Sequence, residues 1–282
     1  MISILLKKLS ATLSSDCGRT EAGSGRSRIQ QGCFAGVIAC VATLAVADDP
    51  KPDFSIKTKW VEASVLLDET IKADPALAVN CLNEGKKWAE KNRAEADREL
   101  KQDPDLFRNP WSYERKYLTR SVVDDRYISI VREDYEYTGG AHPNSSSDTI
   151  LWDKSAGKRI SIRPFFTETA DNGPTMQAMR QDVIASLQAE KKKRGAEGLD
   201  ASAIEAIEPK LLKIGPVSLT PSTEQGKSSG LTFHYSPYAV GSYAEGEYIA
   251  FVPWEKLKPY LTAEGVKIFG GARPKEDEDR PQ

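Results

Sequence analysis

Histidine is the scarcest chemistry-bearing residue in this 282-residue chain, which has only two, His142 and His234. A zinc site built on imidazoles would have to use both, and no H-E-x-x-H, C-x-x-C or EF-hand spacing occurs. No glycine-rich loop follows a strand and opens a helix, so the sequence points to no metal and no cofactor. Cysteine is nearly as rare. Of four, Cys17, Cys33 and Cys40 lie in the first 47 residues, which leaves Cys81 alone and excludes an intramolecular disulfide in the remainder. No window reaches the roughly 18 to 20 continuous apolar residues of a membrane-spanning helix. A basic excess is missing too: 39 Lys/Arg stand against 41 Asp/Glu, a net −2, whereas nucleic-acid partners call for positive charge. The G-x-S-x-G elbow of serine hydrolases does not occur.

The N-terminal stretch "GRSRIQQGCFAGVIACVATLAVADDP" has a different character. Two arginines precede an apolar segment from Cys33 to Ala47, and Ala45-Val46-Ala47 fits the A-x-A cleavage pattern. Residues 1–47 read as a signal peptide, which places the remainder in the periplasm or outside the cell, with no membrane span after cleavage. Val37-Ile38-Ala39-Cys40 resembles a lipobox, but too few apolar residues precede Cys40. Residues 1–47 hold five Lys/Arg and two Asp/Glu, so the remainder has 34 basic against 39 acidic residues, a net −5.

Beyond the leader, "FSIKTKWVEASVLL" alternates imperfectly and reads as a first strand. Asp74-Pro75 is an N-cap followed by a first-turn proline, opening a helix towards Asp103-Pro104. Leu77, Cys81, Trp88 and Leu100 form its apolar stripe, the part beyond Gly85 looks solvated, and Cys81 reads as a small buried hydrophobe. Residues 111–163 read as a β-meander with turns at Asp124-Asp125 and at 154–158. Gly173-Pro174 opens a second helix with Met176, Met179, Val183 and Leu187 on one face. It ends in "EKKKRG", where cations complement the helix dipole and glycine stops the helix. A helix over 201–212 with Ile204, Ile207 and Leu211 inward follows. Strands come next at 217–220, 231–235 and 247–252, and a helix starts at Pro253. The sum is an α+β fold, an antiparallel sheet with helices packed on it, in two intertwined or adjacent subdomains over 54–165 and 172–262. Residues 270–282 read as a disordered tail.

Two stretches attract functional attention. "YTGGAHPNSSS", 137–147, concentrates Gly139, Gly140, His142, Pro143 and Asn144 in one bend. His142 with Thr138, Asp148 or one of Ser145 to Ser147 could be imagined as a catalytic set for a cell-wall or ester hydrolase. A sharp turn explains more of the residues: Gly139-Gly140 permits positive φ, and Asn144 and the serines can bond the nearby backbone. Asn144-Ser145-Ser146 is also a glycosylation sequon, relevant only in a eukaryotic secretory pathway. In "YSPYAVGSYAEGEYIAFVPW", 235–254, six aromatics alternate with small residues. They form either a recognition surface or the caps of the sheet core. The carboxylates offer no pair that stands out as general acid and base.

Taken together, "YTGGAHPN" followed by a strand and G-K-x-I-x-I-x-x-F-F, and then an apolar strand with Y-x-x-x-x-Y-A-x-G, are recognisable. They resemble the paired extracellular domains of unknown function found in the lysozyme-sensing ectodomain of the sigma-V anti-sigma factor and beside a peptidoglycan deacetylase catalytic domain. A secreted mycobacterial immunogenic protein looks related. The resemblance covers about residues 54–262. It implies a bacterial α+β extracytoplasmic binding module, and the partner expected is lysozyme, another envelope protein or peptidoglycan; Gly139, Gly140, His142 and Asn144 of the bend and Tyr238 and Tyr243 of the tyrosine-rich stretch are the candidate binding residues. It transfers no catalytic residue. Neither an anti-sigma domain with its span before Ala47 nor a catalytic domain after Leu261 fits, so the chain reads as the module standing alone.

Overall fold

Six strands in sequence order form the larger of two sheets. They are β1 (Phe54–Lys57), β2 (Val61–Leu67), β3 (Trp111–Val123), β4 (Tyr127–Tyr137), β5 (Asn144–Asp153) and β6 (Lys158–Ile160). The structure is a computed structural model and describes residues 51–107 and 109–278. The signal peptide expected over 1–47 lies outside them. The single strand expected over 54–67 is a hairpin instead. Thr58 turns it, its hydroxyl accepting from the Trp60 and Val61 amides at 3.2 and 3.0 Å.

All neighbours in this sheet are antiparallel except β2 and β3, which run parallel. A parallel pair needs a long crossover, and it is supplied by α1 (Glu69–Lys72) and α2 (Pro75–Gln102). Asp74 caps α2 through the Leu77 amide at 3.0 Å, with Pro75 in the first turn, as the sequence predicts. Besides the expected Leu77, Cys81 and Leu100, the buried stripe of α2 includes Gly85, Ala89 and Ala96. Small residues on that stripe let the helix lie close to β2, where a side chain at Gly85 would press on Val65. Trp88 sits at the margin, edge-on to Tyr113 with the Arg115 guanidinium 4.4 Å over its ring. Cys81 is fully buried in this layer, and burial pushes its thiol up to about 12.

The other face of the large sheet carries a second layer. After a 3-10 turn at Arg163–Phe165 come α3 (Pro174–Lys193) and α4 (Ala201–Ala206). The small antiparallel sheet β7 (Val217–Leu219), β8 (Gly230–Tyr235) and β9 (Tyr248–Pro253) follows, then α5 (Trp254–Leu257), α6 (Ala263–Ile268) and α7 (Lys275–Glu278). The helix expected to reach 212 stops at Ala206. Pro209 lacks an N–H and disfavours helical geometry in the residue before it, although Ile207 and Leu211 are still buried. Met176, Met179, Val183 and Leu187 of α3 share one core with Phe233, Tyr248 and Val252, and with Val123, Tyr127 and Leu151 of the large sheet. Fully burying each such side chain is worth roughly 1.5–3 kcal/mol. The stretches 54–165 and 172–262 therefore share a core. Ser129 and Ser121 of the large sheet bond the Leu219 backbone at 2.9 and 2.7 Å.

The expectation of a disordered tail is corrected up to Glu278. Asp277 on α7 is 5 % exposed and accepts a two-pronged hydrogen bond from Arg120 of β3, itself 9 % exposed. Arg273 donates to the same carboxylate at 2.6 Å. Composition read as solvated polarity; a buried arginine on another strand gives one of those acids a partner.

Candidate functional site

The bend after β4 and the loop between β8 and β9 meet, although about a hundred residues separate them. Gly139 has φ +90°, the left-handed backbone that favours glycine. Gly140, expected to share that role, is not among the positive-φ residues. His142 follows. Its Nδ1–H donates to the Pro143 carbonyl at 2.9 Å, so Nε2 accepts from the Tyr238 hydroxyl at 3.2 Å. Its ring stacks on Tyr243, centroids 3.8 Å apart and planes 20° from parallel. Tyr238 and Tyr243 are 5.6 Å apart, completing a three-ring cluster.

Three of the six expected binding residues thus form one surface feature. Tyr238 is its outermost member, 62 % exposed, and holds φ +72°. That conformation costs a residue other than glycine about 1–2 kcal/mol. Asn144 stands apart, reaching the Glu136 side chain at 3.4 Å instead of closing the turn through the backbone. Of the remaining aromatics in 235–254, Tyr235 and Tyr248 are core residues. The core reading holds for those two, while Tyr238 is at the surface.

The loop carrying the tyrosines is held by a polar anchor that the sequence did not reveal. Glu245 accepts from Lys191 Nζ at 2.6 Å, from the Tyr248 hydroxyl at 2.7 Å and from the Ser242 amide at 2.8 Å. Lys191 is 2 % exposed, its ammonium 4.7 Å from the Tyr248 ring. The first lysine of "EKKKRG" is thus a buried strut beyond its place in the last helical turn. A lysine four residues beyond Leu187 on the buried stripe of α3 was the signal that could have marked it. On the other side, Ser236 Oγ accepts from the Ser147 amide at 2.9 Å and ties the loop to β5. A groove of about 600 Å³ runs beside the cluster, bounded by Tyr238, Ser242, Lys191 and the start of α4.

The Lys191 hydrogen bond, then that of Tyr248, brings the Glu245 carboxyl down from 4.5 to about 2. A depressed carboxyl stabilises the fold above its unfolded value, and that contribution is lost as pH falls through the folded value. Glu245→Gln is therefore expected to lessen the loss of stability between about pH 4.5 and pH 2. Urea midpoints at both ends of that window, in both proteins, check it.

The catalytic set imagined around His142 is not assembled. Both ring nitrogens are engaged elsewhere, and Ser147 Oγ donates to Glu247 at 3.3 Å. His234 lies apart from His142, its Nε2 2.8 Å from Ser218 Oγ. Among the described residues no three His, Cys, Asp or Glu side chains are grouped to hold a metal.

A family model described as "Deacetylase PdaC" matches residues 52–145, and one described as "Protein of unknown function (DUF3298)" matches residues 181–255. The two matches follow one another along the chain. They are the paired domains that the two motifs resemble, and the bend and the tyrosine loop fall in different matches. Two solved structures of DUF3298 family proteins are similar. The one from Pseudomonas aeruginosa PAO1 is 16% identical with a TM-score of 0.47, covering 79% of this chain and 99% of its own. The one from Bacteroides fragilis NCTC 9343 is 16% identical with a TM-score of 0.43, covering 67% and 71%. No curated protein matches the chain. The His142–Tyr238–Tyr243 cluster is thus a contact between the paired domains.

Proposed function

We propose that this chain is an extracytoplasmic cell-envelope binding protein whose ligand is a lysozyme-like protein or a peptidoglycan fragment, bound at the His142–Tyr238–Tyr243 cluster. The observation that carries this reading is Tyr238, a large aromatic held outward on strained backbone by a histidine from the other domain. Strain of this kind collects where a side chain must be presented, and rigid tyrosines flanked by small residues suit recognition. The paired domains support the envelope setting, as does the leader expected in the sequence.

Calorimetry of the chain from Asp48 onward, with lysozyme and with muropeptides, tests the proposal. Binding of one of them, weakened at least about tenfold by Tyr238→Ala, is the expected result for an exposed aromatic that a ligand covers. No binding of either overturns the ligand assignment. Binding unaffected by Tyr238→Ala overturns the site.

A further inference from the structure

The large sheet keeps part of one face open. α2 packs on one side of β1 to β3, and the second layer shares its core with only the far end of the opposite side, at Val123, Tyr127 and Leu151. Towards β1 that opposite side is uncovered among the described residues, and Ser55, Lys57, Glu62 and Tyr135 are exposed on it.

Register carries one row of side chains straight across five strands. Ser55 of β1 stands beside Ser64 of β2, Ser64 beside Glu114 of β3, Glu114 beside Tyr135 of β4, and Tyr135 beside Ser145 of β5. Neighbouring strands lie about 4.8 Å apart, so four steps make a row about 19 Å long. A shallow groove of about 340 Å³ follows it from Ser55 to Tyr135. The shape suits a linear molecule laid across the strands.

Three features select its chemistry. Tyr135 is 39 % exposed, and its ring offers a flat apolar plane on which the C–H face of a sugar packs. The hydroxyls of Ser55, Ser64 and Ser145 have no hydrogen-bond partner among the described residues, and neither has that of Ser112 in the adjoining row. A hydroxyl both donates and accepts, as the hydroxyls of a sugar do. The charges on this face cancel: Lys57 pairs with Glu62 at 2.6 Å and Lys116 with Glu114 at 2.7 Å. Paired charges leave no net field for an ion, so the surface complements an uncharged ligand. An extended peptide is disfavoured, because β2, β3 and β4 have a strand on both sides and no free ladder groups to offer it.

We propose that this row binds an uncharged linear oligosaccharide, with one sugar ring stacked on Tyr135 and the hydroxyls of its neighbours bonded to Ser55, Ser64 and Ser145. All of these residues fall within 52–145 and none belongs to the loop that carries Tyr238. The inference therefore goes beyond the ligand proposed for the aromatic cluster and does not rest on it.

Amide-resolved NMR of the chain from Asp48 onward, titrated with the β-1,4-linked tetramers of glucose and of N-acetylglucosamine, tests the site. One tetramer should move the signals of Ser55, Ser64, Glu114 and Tyr135 saturably. Tyr135→Ala should weaken that binding at least about tenfold, whereas Tyr135→Trp, which keeps an aromatic plane, should retain it. Added sodium chloride should leave the affinity unchanged, since no ion pair forms. No movement with either tetramer overturns the inference, and so does binding that Tyr135→Ala leaves intact or that salt abolishes. Movement confined to the residues around Tyr238 overturns this site and leaves the proposed function standing. If lysozyme moves the row and neither tetramer does, the face is a protein interface and the inference fails. Should Tyr135→Ala fail to fold, the signal map of the wild-type chain and the Trp variant decide.

Discussion

Asp277→Ala is expected to destabilise the folded chain by about 3–5 kcal/mol, the cost of leaving a buried charge without its partner. Arg120 is 9 % exposed and its guanidinium is satisfied by the Asp277 carboxylate, to which Arg273 also donates. Removing the acid strands a cation between the large sheet and the C-terminal segment. Burial works to raise the Asp277 carboxyl, but the hydrogen bonds from Arg120 and Arg273 outweigh it and bring it below the usual range. Its contribution is therefore present at neutral pH and lost as the solution is acidified. Glu276→Ala and Glu278→Ala, at exposed positions on either side, should change stability by less than about 0.5 kcal/mol. Urea unfolding of the three variants at neutral pH separates the cases. Equal effects from all three would mean that the segment adds only surface charge.

Gly230→Ala should cost roughly 3 kcal/mol or more, because it combines backbone strain with an overlap that cannot relax. Gly230 opens β8 at φ +150°, opposite Pro253 of β9. An added Cβ would drive into the Val252 carbonyl oxygen and lie 3.0 Å from the Phe251 ring and from the Pro253 backbone. Two of these are main-chain atoms of a paired strand, so a rotamer change relieves neither. Gly139→Ala is the control. It carries the φ penalty at +90° with nothing within 4 Å of the added carbon, so about 1–2 kcal/mol is expected there. Thermal unfolding of both variants should show the larger loss at Gly230. A comparable loss at the two sites would mean that β9 yields.

Both predictions rest on groups that composition places among loops and tails. Gly230 follows "GKSS" and Asp277 sits in "KEDEDR", where flexible polarity is the natural reading. Much of the rest was legible. Asp74-Pro75 marked the start of α2 and Gly173-Pro174 that of α3, because capping and proline geometry are local. The meander from 111 onward announced itself by β-branched and aromatic residues separated by turn signals. The Thr58 reversal was missed because its signal is one hydroxyl accepting from two nearby amides, inside a stretch whose alternation suits a continuous strand.

The candidate site divides the same way. His142, Tyr238 and Tyr243 could be picked out singly, by rarity and by motif. That they touch, while Asn144 turns away and Tyr235 and Tyr248 go into the core, depends on the register of β5 and on the tie from Ser147 to Ser236.

By itself the sequence determined the long helices, the meander from 111 onward, the pair of domain motifs and a short roster of candidate aromatics, because helix caps, turns and side-chain periodicity act within a few residues. Only the tertiary structure decided which polar groups meet: Lys191 with Glu245, and Arg120 with Asp277. Electrostatic and hydrogen-bonding energies depend on distance and burial, and both are set where two sheets close on one another.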